Sequence, residues 1–183
     1  MKIRRTQFLA AGAAAVAVTK LGLRPAMAAI DVGATAPTFT LPATLGTEVF
    51  QFDLASQLKK GPVVLYFYPA AFTKGCTIEA HDFADHMDDY KKAGASVIGV
   101  SGDDIEKLKQ FSTSECRSKF PVAADQGLKV AAKYDAVLKD NYANRTSYVI
   151  APDGKIAYVY TSLNPDKHVS NTLEAVQKIT GKS

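Results

Sequence analysis

The chain has 183 residues, of which 47% are hydrophobic and 22% are charged, a balance typical of a globular protein with one domain. This composition excludes a disordered chain, a collagen-like repeat and a multi-span membrane protein. The formal net charge is +4, but five of the 22 basic residues and none of the 18 acidic residues lie in residues 1–28. The other 155 residues therefore carry a net charge of −1, and no nucleic-acid binding is expected of them.

Residues 1–28 are predicted to be an export signal. A basic start precedes the mild apolar run Phe8–Val18, and Ala26-Met27-Ala28 offers a small-x-small cleavage site. The pair Arg4-Arg5 resembles a twin-arginine signal, with an ordinary secretory signal as the alternative. Eleven apolar residues are too few to span ~30 Å of hydrocarbon as a helix. We therefore expect residues 29–183 to form the working domain in a bacterial periplasm or outside the cell, with membrane attachment only through an uncleaved signal.

The rest of the chain alternates between strand and helix patterns. Strands are predicted at residues 39–41, 48–52, 62–68, 95–100, 120–123, 146–151 and 156–160. Helices are predicted at residues 76–92, 104–116, 127–134 and 166–179, together with a short helix that is capped by Asp53 and ends at Leu58. The order of these elements predicts an α/β domain of thioredoxin-like fold, with a central mixed β-sheet flanked by helices.

The chemistry concentrates around Cys76, which follows the apolar strand at 62–68 and lies in the first turn of the next predicted helix. Unpaired amide N–H groups and the helix dipole favour a negative charge at that position. The thiolate is the nucleophilic form of cysteine. Pro69 is expected to turn the chain out of the strand, and Thr73 places a hydroxyl three residues before the sulfur. The sequence therefore predicts a reactive cysteine at this junction.

The spacing of Pro69, Thr73 and Cys76 resembles the Pro-x-x-x-Thr-x-x-Cys active-site pattern of the peroxiredoxins. The following Thr77-Ile78-Glu79-Ala80 is similar to the bacterioferritin-comigratory, or Q-type, branch of that family, also called thiol-specific antioxidant proteins. The family's active-site arginine maps onto Arg145, at the start of a late predicted strand. The resemblance covers nearly all of the chain after the predicted signal.

The resemblance implies an antioxidant, thiol-dependent peroxidase that reduces hydrogen peroxide and organic hydroperoxides. The Cys76 thiolate would become a sulfenic acid, which an external thiol or a thioredoxin-like reductant would reduce. Arg145, the Thr73 hydroxyl and nearby amides would stabilise charge on the peroxide oxygens. No cofactor and no metal are expected, and the resemblance implies a monomer or weak dimer. The alternative is a thioredoxin-like binding or thiol-chaperone domain without turnover.

The second cysteine leaves the catalytic cycle open. Many Q-type relatives carry a resolving cysteine five residues after the nucleophile, and His81 occupies that position here. Cys116 lies 40 residues after Cys76, near the end of a predicted helix. It either resolves the sulfenic acid as a Cys76–Cys116 disulfide, which requires local unwinding, or is a buried free thiol. In the second case an outside thiol reduces Cys76 directly.

Other titratable residues have structural interpretations. The pairs His81/Asp85 and Asp82/His86 have the i, i+4 spacing that metal sites use, but neither has an evident third ligand. Glu79, in the first turn of its helix, complements the helix dipole, and a part in positioning the active-site network is the lesser alternative. His168, near the start of the last helix, is expected on the surface.

Overall fold

The computed structural model describes residues 29–138 and 142–182. Seven strands form one mixed sheet in the order β2-β1-β5-β4-β3-β6-β7. The strands are β1 Thr40–Leu45, β2 Glu48–Asp53, β3 Val63–Phe67, β4 Ser96–Ser101, β5 Val122–Ala124, β6 Thr146–Ile150 and β7 Ile156–Thr161. The helices are α1 Leu54–Leu58, α2 Lys74–Asp85, α3 Met87–Lys92, α4 Ile105–Ser114, α5 Lys129–Lys133 and α6 His168–Thr180.

The sheet is covered on both faces. Strand β3 is buried at every position, and its side chains alternate between two hydrophobic clusters because successive strand residues point to opposite faces. Leu65 and Phe67 pack with α1 and α5 on one face, while Val64 and Tyr66 pack with α2, α3, α4 and α6 on the other. The predicted central mixed sheet flanked by helices is present. Among the described residues, no helix is long and apolar enough to cross a membrane.

Most element boundaries lie within a few residues of the predictions. The Asp53 side chain caps α1 by accepting the amide hydrogen of Ser56, as expected. The single helix predicted over 76–92 is wrong, because the chain breaks at His86 into α2 and α3. A ring nitrogen of His86 lies 2.9 Å from the Asp82 carbonyl oxygen, and the backbone N–H of His86 also bonds there. Phe83 and Tyr90 nevertheless share the buried face that helical spacing predicted.

Candidate active site

The loop between β3 and α2 positions Cys76. Its backbone is tied to the neighbouring strand end, since the Tyr68 amide bonds to the Val100 carbonyl and the Ala71 amide donates to the Asp103 carboxylate at 2.7 Å. Phe72 adopts a left-handed φ of 66°, a conformation that costs a residue other than glycine energy and that the surrounding contacts must hold. The loop therefore delivers Cys76, the third residue of α2, at a fixed place beside the sheet.

Arg145 reaches Cys76 although 69 residues separate them along the chain. Strand β6 pairs antiparallel with β3 and sets Thr146 opposite Phe67, the last residue of β3. Arg145, which precedes β6, therefore lies beside the start of the loop that leads from β3 to α2. The Arg145 Nη2 atom lies 3.3 Å from the Cys76 sulfur. Both residues are buried, with Cys76 only 2% exposed. The predicted meeting of this cysteine and this arginine is thus found in the structure.

Two further contacts orient the guanidinium of Arg145. Its Nε donates to the Leu163 carbonyl oxygen at 3.1 Å, and its Nη1 donates to a carboxylate oxygen of Glu79. Gly75 leaves room for the group, because a Cβ there would lie 3.0 Å from Nη2. An arginine presents its donors in a rigid planar fork, so fixing Nε and Nη1 also directs Nη2 at the sulfur.

Thr73 and Pro69 border the same site. Thr73 is the residue before α2 and has extended backbone angles, but its side chain does not cap the helix. Its hydroxyl donates to the Ala70 carbonyl oxygen at 3.0 Å, which leaves the hydroxyl oxygen free to accept a hydrogen bond. Pro69 lies two residues after the end of β3, where the chain turns into the loop. Both residues thus lie on the segment that leads from β3 into the helix of Cys76.

Two buried residues extend the site beyond what the sequence assigned to it. Glu79 and His168 are each fully buried, so the expectation of His168 on the surface is wrong. His168 packs there because its ring lies against Tyr160 and its nitrogens meet Ser147 and Ser162. Glu79 is bound to Arg145. The structure therefore favours the second interpretation of Glu79, a part in positioning the active-site network, over a contact with the helix dipole alone.

Burial shifts the protonation of both residues. It raises the pKa of Glu79 to about 8, because the charge and the hydrogen bond of Arg145 only partly offset the loss of solvent. Burial lowers the pKa of His168 to about 4, with a hydrogen bond to the Ser162 carbonyl opposing and the charge of Arg145 assisting the shift. The close Glu79–Arg145 contact has the geometry of an ion pair, but a carboxyl with this pKa is largely neutral at pH 7. We favour the neutral form because the Glu79 side chain is fully buried.

Cys116 is buried and free, as is Cys76, and both pack in the same hydrophobic cluster. Burial, with the charge of Glu115 adding to it, raises the pKa of the Cys116 thiol well above its ordinary value. Ion pairs on either side tie the segment of Cys116 to α2: Glu115 contacts His81 at 2.9 Å and Arg117 contacts Asp85. Cys116 is thus enclosed next to the helix that carries Cys76.

The same contacts account for the histidines and carboxylates with metal-like spacing. His81 and Asp85 bond to Glu115 and Arg117 rather than to a shared centre, and His86 lies 3.2 Å from the Asp82 carboxylate. Within 29–138 and 142–182, no three histidine, cysteine or acidic side chains are grouped as a metal ion would need. The i, i+4 pairs therefore have structural partners.

The chain resembles proteins of one family over most of its length. The sequence profile of the AhpC/TSA family matches residues 32–159. The chloroplastic peroxiredoxin Q of Triticum aestivum is 39% identical over 153 residues, which cover 82% of this chain and 68% of that protein. Peroxiredoxin Bcp of Escherichia coli (strain K12) is 34% identical over 146 residues, which cover 76% of this chain and 90% of that protein.

A solved structure agrees with the sequence comparisons. The crystal structure of peroxidoxin BcpB from Mycobacterium tuberculosis matches with a TM-score of 0.73 at 33% identity, over 81% of this chain and 97% of that one. The predicted thioredoxin-like fold is thereby confirmed.

Proposed function

The chain belongs to the AhpC/TSA family and is a peroxiredoxin, a thiol-dependent peroxidase, and from this premise we propose that Cys76 is the residue that reacts with the hydroperoxide. The observation that carries the proposal is the 3.3 Å contact between Arg145 Nη2 and the Cys76 sulfur at the start of α2. A cationic donor and the amides of a helix start both stabilise an anion at that atom. The thiolate is the form of cysteine that attacks.

The reaction follows from that thiolate. The Cys76 sulfur attacks the hydroxyl oxygen of the hydroperoxide R–O–O–H, so that an S–O bond forms and the O–O bond breaks. The electron pair of the O–O bond leaves on the RO⁻ fragment, which takes up a proton and departs as an alcohol, or as water when R is hydrogen. The sulfur is oxidised to a sulfenic acid, and the peroxide is reduced.

Thiol ionisation alone does not account for peroxidase rates. A free thiol with a pKa of ~8.5 gains only about thirtyfold from complete ionisation at pH 7, whereas enzymes typically supply a factor of ~10⁶ or more. The remainder has to come from groups that stabilise charge developing on the peroxide oxygens. Arg145 supplies a permanent positive charge, and the Thr73 oxygen can accept the hydrogen of the hydroperoxide and so orient it.

The assignment of Cys76 is tested by peroxide consumption with a dithiol as reductant. Cys76→Ser is expected to abolish consumption, whereas the matched Cys116→Ser protein still consumes peroxide because it retains the reacting sulfur. Circular dichroism establishes that both proteins are folded. Wild-type consumption by Cys76→Ser would end the assignment.

For the second half of the cycle, we propose that Cys116 resolves the sulfenic acid. The Cys116 thiolate would attack the Cys76 sulfur, forming the S–S bond and releasing the sulfenic oxygen as water after protonation. Burial and the raised pKa keep Cys116 protonated in the closed structure, so the segment around Cys116 has to open before it reacts. The common hydrophobic cluster supports the pairing. Direct reduction of Cys76 by an outside thiol is the alternative outcome.

The physiological reductant and the assembly are also proposals. A thioredoxin-type dithiol would reduce the Cys76–Cys116 disulfide by thiol–disulfide exchange. We propose that the protein acts as a monomer or weak dimer. Sedimentation at several protein concentrations tests this, and a stable larger assembly would contradict it.

We propose further that residues 1–28 direct the chain to a bacterial periplasm. These residues lie outside the described part of the structure, and the support is their basic start, apolar run and Ala-Met-Ala site. Replacing Arg4 and Arg5 with lysine is expected to retain the precursor in the cytoplasm if the twin-arginine route is used. Export of that variant at the wild-type level would favour an ordinary secretory signal, and a wild-type protein found only in the cytoplasm would overturn the proposal.

A further inference from the structure

His168, the first residue of α6, is held in a defined orientation inside the protein. Its Nε2 lies 2.9 Å from the Ser162 carbonyl oxygen, and its Nδ1 lies 2.7 Å from the Ser147 hydroxyl oxygen. A carbonyl oxygen only accepts hydrogen bonds, so Nε2 must carry a hydrogen. A neutral imidazole carries one N–H, which leaves Nδ1 as the acceptor of the Ser147 hydroxyl hydrogen.

The unprotonated Nδ1 of His168 also lies close to Glu79. The Glu79 Oε1 atom is 3.6 Å from Nδ1, and among the described residues it has no hydrogen-bond partner although it is fully buried. If Glu79 were ionised, its Oε1 atom, which has no hydrogen-bond donor, would face the electronegative Nδ1 atom inside the protein, which is unfavourable. A protonated Oε1 carries no charge, so the same approach to Nδ1 is then no longer repulsive. The other oxygen, Oε2, remains available to Arg145 in either case.

We propose that His168 is a positioning residue that keeps Glu79 protonated and neutral, so that the positive charge of Arg145 acts on the sulfur of Cys76. This inference rests on the proposed role of Cys76 as the reacting thiolate. Arg145 touches both Cys76 and Glu79. With Glu79 neutral, one thiolate and one guanidinium balance within the site, whereas an ionised Glu79 would leave a net negative charge and compete for the same cation.

Other groups near the two residues do not replace this role. The other titratable and charged side chains described near Glu79 or His168 lie on β3, α2 and β7 or just before β6: Tyr66, Cys76, Asp82, Arg145 and Tyr160. Arg145 favours the ionised form of Glu79, whereas burial and Asp82 oppose it. The orientation of His168 adds a specific preference for the neutral form.

The protonation states can be read directly in the reduced wild-type protein by NMR, without any turnover. The Glu79 carboxyl carbon is expected to titrate near pH 8, and the His168 ring to remain neutral with its hydrogen on Nε2 at neutral pH. An ionised Glu79 at pH 7, or a hydrogen on His168 Nδ1, would overturn the inference. Since peroxide takes no part in this measurement, its result is independent of whether Cys76 is the reacting residue.

The consequence for reactivity is tested through the pH profile of Cys76 oxidation by hydrogen peroxide. The wild-type rate is expected to fall as Glu79 ionises, near pH 8. His168→Leu removes the nitrogen atom that opposes ionisation of Glu79, so the decrease in the oxidation rate should occur at lower pH. In Glu79→Gln this decrease should be absent. Adding His168→Leu to Glu79→Gln should then leave the shape of the profile unchanged.

A control separates this role from simple packing. Thr172 lies one turn further along α6 and is also buried, and its hydroxyl bonds to Tyr90 and to the backbone carbonyl oxygens of His168 and Val169, not to the imidazole or to Glu79. Thr172→Val should therefore not move the pH at which the rate falls. If His168→Leu lowers the oxidation rate equally at every pH, and the pH at which the rate falls does not change, the role of His168 is merely structural. That result would contradict the inference. If His168→Leu does not fold, the NMR titration of the wild-type protein decides.

Discussion

The Nη2 atom of Arg145 lies 3.0 Å from the point where a Cβ on Gly75 would stand. Gly75 precedes Cys76 in the first turn of α2, so the absence of a side chain lets the guanidinium come close to the helix. An added methyl group would be tighter than ordinary van der Waals contact. This glycine is therefore needed for the approach of Arg145 rather than for backbone flexibility.

Gly75→Ala is expected to slow the oxidation of Cys76 by peroxide severalfold, because the guanidinium has to move away from the sulfur. The melting temperature should be unchanged or higher, since alanine is favoured over glycine within a helix by up to about 1 kcal/mol. Rapid-mixing kinetics and thermal denaturation measure the two effects. A lower melting temperature with an unchanged rate would contradict this account of Gly75.

The buried pair Glu79 and His168 predicts how folding stability depends on pH. The pKa of Glu79 is raised from 4.5 to about 8 in the folded state, so the folded state binds the extra proton between these values and stability falls as pH rises. The pKa of His168 is lowered from 6.5 to about 4, so the unfolded state binds the extra proton and stability rises with pH. The two effects oppose each other between pH 4.5 and 6.5.

From pH 6.5 to 8 only the Glu79 effect remains, so its contribution makes the free energy of unfolding fall across this interval. Glu79→Gln should reduce that fall, because glutamine has no proton to lose. Urea denaturation of both proteins at pH 6.5 and pH 8 gives the comparison. An equal change in the two proteins would show that Glu79 is not protonated in the folded state.

Cys116 is expected to form a disulfide with Cys76 after one equivalent of peroxide, as peptide mapping can detect. Arg117→Ala should speed this step, because it removes the exposed ion pair with Asp85 that ties the Cys116 segment to α2. Exposed pairs contribute about 0–1 kcal/mol, which limits the acceleration to roughly fivefold. Lys109→Ala is the matched control, since it removes an exposed pair within α4 alone. A sulfenic acid that persists on Cys76 of the wild-type protein would contradict internal resolution.

The sequence predicted the architecture well where hydrophobic periodicity and turn residues agree. The apolar run at 62–68 became the fully buried strand β3, and the strands predicted at 146–151 and 156–160 are present as the antiparallel pair β6 and β7. The break at His86 was missed, because the backbone leaves helical geometry at that single residue, with φ −100° and ψ 6°. Helical periodicity runs through such a break unchanged, since both helices bury the same face.

The site was predictable only in part. Pro69, Thr73, Cys76 and Arg145 stood out through their spacing and the family resemblance. Glu79 lies three residues after Cys76 and so on the same helix face, a signal that could have placed it inside. His168 gave no comparable signal, because its burial depends on α6 packing over β6 and β7. The distance between sequence-remote residues is set by strand pairing, which one sequence alone does not specify.

The most direct test of the central claim is the rate at which hydrogen peroxide oxidises Cys76 in the wild-type, Arg145→Lys and Arg145→Ala proteins, followed by rapid mixing and intact mass. Removing one preorganised donor of this kind typically costs about 10²–10³ in rate, and the account predicts a loss of that size for Arg145→Ala. Arg145→Lys should recover little, because a lysine cannot bond to Leu163, Glu79 and the sulfur together. Oxidation of Cys76 at the wild-type rate in a folded Arg145→Ala protein would contradict the claim.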